Sequence, residues 1–129
     1  MAIQQGNYSI DLYRGDSKVI ELTFYDVDNT TGVETLSNLS TINVSAQVRY
    51  SVDSPDVLLD LQPVIVDATK GLIRITISST KSGNVAPAAE PNSPVSGVYD
   101  LQFKDKANSE IVFTPIYGSF TIRKDVTRP

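Results

Sequence analysis

An all-β domain is what this sequence predicts, and three observations predict it. Apolar and polar residues alternate with a period of two along most of the chain. No window carries a sustained helical stripe, and clusters of Gly, Pro, Asn, Asp and Ser separate the alternating stretches. About seven to eight short strands divided by turns pack as a two-sheet antiparallel sandwich or a small barrel.

Each element follows in order. Tyr8, Ile10 and Leu12 alternate with Ser9, Asp11 and Tyr13, marking a half-buried strand. Arg14-Gly15-Asp16 supplies a turn, after which Ile20, Leu22 and Phe24 alternate with Glu21, Thr23 and Tyr25. Residues 26–41, rich in Asn, Thr, Ser and Gly, read as an irregular connection. Val44, Ala46, Val48 and Tyr50 then face one way, and Ser45, Gln47, Arg49 and Ser51 the other.

A turn at 53–56 leads to the apolar stretch 57–61; Pro63 interrupts it, and "VIV" and a turn at 67–71 precede Ile73, Ile75 and Ile77, which alternate with Arg74, Thr76 and Ser78. Residues 80–97 hold three of the seven prolines, Pro87, Pro91 and Pro94, and form the longest loop and the expected contact segment. A strand over 97–103, a turn over 104–110 and a strand over 111–123 complete the domain. Pro115 and Gly118 within the last run predict a bulged or edge strand. Among the sandwiches, the immunoglobulin-like one fits best, because Tyr99 after a Gly-bounded loop resembles the tyrosine corner of such folds.

With 129 residues the chain suits one domain, 1–129, with extended tails at 1–7 and 124–129. It is large enough to bury a core without metal or disulfide staples. The net charge of −4 and the scattering of 11 basic residues argue against nucleic-acid binding, which needs a clustered cationic surface. The chain has no Cys and no His, so disulfides, thiol nucleophiles and imidazole bases are excluded. The opening "MAIQQGNYSI" has neither the charged nor the apolar region of a signal peptide, and no apolar run reaches membrane-helix length. The expectation is a protein that works in the compartment that made it, with no membrane partner.

The motifs that invite functional readings are better explained by structure. Arg14-Gly15-Asp16 is an adhesion tripeptide on an exposed loop outside cells, but Gly15 between two strands is what a tight turn requires. Asp26, Asp28 and Thr30 have the spacing of a calcium loop, yet Thr31 and Ser37 stand where that loop needs Gly and Glu. Four glycosylation triplets begin at Asn7, Asn29, Asn38 and Asn43, matches that an Asn-, Ser- and Thr-rich chain makes by chance. No carboxylate pair or phosphate loop suggests catalysis, and Asp60, Asp67 and Asp100 fall at strand faces or turns. Of the six tyrosines, alternation assigns Tyr8, Tyr50 and Tyr99 to the core, while Tyr13 and Tyr25 face outward as candidate contacts.

Three segments carry a resemblance. They are "RGDSKVIELTFYD", "VSAQVRYSVDSPDVLLDL", and "SGVYDLQFKDKANSE" followed by "YGSFTIRKDVTRP". In these the chain resembles small bacteriophage tail and prophage proteins with an immunoglobulin-like β-sandwich, among them the N-terminal domain of the siphophage upper baseplate protein. The likeness spans most of the chain apart from 27–42 and 80–96. It implies a non-enzymatic virion structural protein, a tail, baseplate or fibre adaptor assembled in the host cytoplasm. Its implied partners are other virion proteins and copies of itself, without cofactor or metal. Here the sequence stops after the sandwich, which suits a small stand-alone component. The alternatives are a capsid decoration or cement protein, a carbohydrate-binding module (which lacks the usual Trp platform), and a surface adhesion domain. The expected interface comprises Tyr13, Tyr25, Pro87, Pro91, Pro94, Arg123 and Arg128.

Overall fold

The computed structural model describes residue 3, residues 5–85 and residues 95–123. Its strands are β1 (Gly6–Asn7), β2 (Ile10–Tyr13), β3 (Lys18–Thr23), β4 (Tyr25–Val27), β5 (Glu34–Leu36), β6 (Ile42–Arg49), β7 (Leu59–Asp60), β8 (Val64–Asp67), β9 (Leu72–Ile77), β10 (Val95–Asp105) and β11 (Val112–Arg123). A short helix, α1 (Ser79–Gly83), precedes β10. The all-β prediction holds. Strands β1-β11-β10-β6-β7 make a large sheet, with β2 also on β11; β3-β9-β8 make a small one, and β4-β5 a hairpin.

Alternation places the core. Ile73, Ile75 and Ile77 of β9 are buried, as are Ala46 and Val48 of β6 and Tyr99, Leu101 and Phe103 of β10. With Ile10, Ile20, Phe120 and Ile122 they form one apolar cluster drawn from both sheets, the arrangement of a β-sandwich. Phe24 lies one residue beyond β3 and still enters the core, meeting Phe103 edge-on with ring centroids 5.0 Å apart.

Several expectations are corrected. The large sheet is mixed, because β1 and β2 run parallel to β11. For the same reason β11 is an interior strand and not an edge, with β10 on its other side. The expected bulge is present: Leu101 pairs with Ile116 and Phe103 with Phe113, so Thr114 and Pro115 stand against Gln102 alone. That position tolerates Pro115, which has no N–H to give a ladder.

Tyr8 and Tyr50, assigned to the core, are 41% and 48% exposed. The register of β1 and β2 on β11 is the same, Asn7 opposite Tyr117 and Ile10 opposite Phe120, but the strand breaks at Tyr8 and Ser9. There the Tyr8 carbonyl accepts a hydrogen bond from the Tyr99 hydroxyl. Tyr99 is therefore no tyrosine corner, which would bond a few residues upstream; it reaches the link between β1 and β2, 91 residues away. Tyr50 escapes burial because β6 ends at Arg49, whose guanidinium donates to the carbonyls of Ser54 and Pro55 at 2.9 and 3.0 Å.

The remaining differences are local. The stretch 57–61 yields only the two-residue β7. The turn at 67–71 contains a 3-10 turn, Ala68–Lys70, capped by Asp67 through the Thr69 N–H. The connection 26–41 carries the β4-β5 hairpin, with Leu39 fully buried behind it. The long loop opens with α1 and its far end belongs to β10.

Candidate functional site

The outer face of the large sheet holds a groove of about 560 Å³. Because side chains alternate, its floor is set by register: Asn7 stands opposite Tyr117, Tyr117 opposite Asp100, and Asp100 opposite Gln47. One step along, Arg49 pairs with Val98 and Val98 with Ser119; on the other side Ser45 pairs with Gln102. Directly opposed residues have Cβ atoms about 5 Å apart, so these rows form a continuous polar floor.

The floor is mostly uncharged. Ser119 and Ser9 share a hydrogen bond of 2.9 Å, and Arg49 donates to Gln47 at 3.0 Å besides its bonds to the two carbonyls. Among the described residues, Asn7, Ser45, Asp100, Gln102 and Tyr117 make no side-chain hydrogen bond, although each carries a donor or acceptor and lines the groove. Chemically the arrangement offers amides, hydroxyls, one carboxylate and one guanidinium to a polar ligand lying flat on the sheet.

Two of the expected interface residues extend this same face. Tyr13 of β2, 52% exposed, pairs with Arg123 of β11, and Arg123 donates to Asp11 at 3.3 Å. The pair is exposed on both sides, so it contributes little to stability, roughly 0–1 kcal/mol. Tyr25 lies elsewhere, on the β4-β5 hairpin opposite Leu36, where both are exposed at 42% and 46%. Pro87, Pro91, Pro94 and Arg128 lie outside the described residues.

The Arg14-Gly15-Asp16 turn joins β2 in one sheet to β3 in the other, with Gly15 at φ +87° and the Asp16 N–H bonded to the Tyr13 carbonyl at 3.0 Å. Among the described residues no side-chain hydrogen bond of Asp16 or Ser17 closes it. Instead Ser82 of α1, fully buried, accepts from the Gly15 N–H at 3.0 Å and donates to the Asp16 carbonyl at 2.7 Å. In the calcium-like segment, Asp28 accepts from the N–H groups of Thr30 and Thr31, which hold its carboxyl below the usual range, and Asp26 accepts from Ser37. These acids build turns. Among the described residues no group of three or more potential metal ligands occurs, and no helix is long and apolar enough to cross a membrane.

Sequence reasoning missed Asp100 as a groove residue, Gln47 beside it, and Leu36 beside Tyr25. Alternation did place Gln47 on the outer face, but only strand order tells which outer residues share a row. No protein-family model matches the chain, and no curated protein shows significant similarity to it.

Proposed function

We propose that this chain is a non-enzymatic virion structural protein of phage tail or baseplate type, an immunoglobulin-like sandwich that acts through protein–protein contacts. The observation that carries the assembly reading is the Tyr25–Leu36 pair. Its two large side chains lie opposite one another on a hairpin and face solvent rather than the core. Tyr at an exposed, adjacent apolar position is the composition of a contact patch. Strand order supports the immunoglobulin-like description: β11-β10-β6-β7 over β3-β9-β8 corresponds to G-F-C-C′ over B-E-D, with the first strand paired to the last. The phage setting rests on the three resembling segments, and the partners on that reading are other virion proteins and further copies of the chain.

Density-gradient separation of native particles from the source, followed by mass spectrometry, tests the proposal. The chain should travel with tails. Recovery with heads would replace the tail reading by a capsid decoration or cement protein, and absence from every particle fraction would overturn the virion reading. Within tail particles, Tyr25→Ser with Leu36→Ser should reduce incorporation while leaving the monomer folded.

A further inference from the structure

We infer that the groove on the large sheet is a binding site for an uncharged saccharide, with the Asp100 carboxylate accepting hydrogen bonds from two neighbouring sugar hydroxyls. The inference stands on the groove alone and is independent of the virion reading. Asp is disfavoured in the middle of a strand, and here it occupies the central strand of the sheet with neighbours on both sides. Neither a cation nor a hydrogen bond engages its side chain among the described residues, and the nearby Arg49 is committed to Gln47, Ser54 and Pro55. A local preference broken without internal compensation marks a site kept for something outside the chain.

The surroundings define what that ligand is. An acceptor-only carboxylate calls for donors and repels a phosphate or uronate placed beside it, while the one cation lining the groove among the described residues, Arg49, already directs its donors to Gln47, Ser54 and Pro55. Gln47 and Tyr117, flanking Asp100 in the same row with Cβ atoms about 5 Å from its own, add a side-chain amide and a hydroxyl beside the carboxylate, a set that suits hydroxyls fixed on a ring. Tyr117, 43% exposed, and Val98, 37% exposed, give the C–H face of a sugar an apolar surface to lie on. A groove of about 560 Å³ falls within the range of small-ligand sites and accommodates a few residues of a glycan.

Calorimetric titration of the full chain with the neutral hexaoses of glucose, mannose and galactose, and with hexagalacturonate as anionic counterpart, tests this. At least one neutral hexaose should bind and hexagalacturonate should not. Asp100→Asn, which keeps shape, should weaken binding at least about tenfold, the loss of charge-assisted hydrogen bonds. Gln47→Ala, at an exposed position, should weaken it in the same direction by a second route. Silence with all three neutral hexaoses, equal binding of hexagalacturonate, or unaltered binding by a folded Asp100→Asn variant would each overturn the proposal.

Discussion

At Tyr99 three residues distant in sequence meet. The ring belongs to the core, and the hydroxyl holds the Tyr8 carbonyl over Gly118. A Cβ at position 118 would fall 2.1 Å from that carbonyl oxygen, so Gly118→Ala has no room unless the first strand moves off β11. The expected cost is roughly 1–3 kcal/mol or more, readable as a shift in the urea midpoint. Burial, with the Tyr8 phenol adding to it, pushes the Tyr99 hydroxyl up to about 12. The unfolded value is about 10, so the folded state holds the proton more tightly, and this contribution is complete below pH ~10 and lost as pH rises to ~12. Tyr99→Phe should therefore lower stability at neutral pH by roughly 1–3 kcal/mol, through the carbonyl left without its partner. The same variant should show a shallower fall in urea midpoint across that alkaline window. Parallel profiles for the two proteins would assign the alkaline transition to another group. None of this was visible in the sequence, where Tyr8 obeys the alternation of a strand that the bond to Tyr99 interrupts.

Among the elements, those whose environment is set by their own alternation were legible. The strands β3, β6, β9 and β10 fall where a two-residue period puts them, since one face meets the core along much of each strand. Elements defined by distant partners were not. The β4-β5 hairpin is anchored by Ser37 N–H to the Phe24 carbonyl and Leu39 N–H to the Ala68 carbonyl, neither foreseeable from an Asn- and Thr-rich stretch. The turn after β2 was recognisable from Gly15, but its clamp is a serine 66 residues further on. Ser82→Ala removes both bonds from a fully buried position, a loss of about 1–3 kcal/mol. Trypsin should then cut after Arg14 faster than in the parent chain under native conditions. An unchanged cleavage rate would mean that the Asp16–Tyr13 backbone bond suffices to hold the turn.

For the whole molecule, one core shared by two sheets implies one cooperative transition. Leu101→Ala at a fully buried position between them should cost roughly 2–5 kcal/mol, with fluorescence and circular dichroism melting together. Separate transitions by the two probes would show that the sheets unfold independently. The groove belongs to this scale too. Alternation set Ser45, Gln47 and Arg49 apart from the core, but the assembly of the rows depends on β10 lying between β6 and β11, a fact of topology and not of composition.

The parallel seam between β2 and β11 also sets an order of events in time. Asp11 waits for Thr121, a partner 110 residues later, and until β11 is in place the opening strand has no ladder to join. Closing so long a loop is entropically slow, which puts refolding in the millisecond-to-second range typical of non-local β topologies. On a ribosome, the strand made first would be among the last to dock. Until β11 arrives, β10 presents a bare edge to any other chain within reach, and that last strand of the sheet serves as the stitch that closes it.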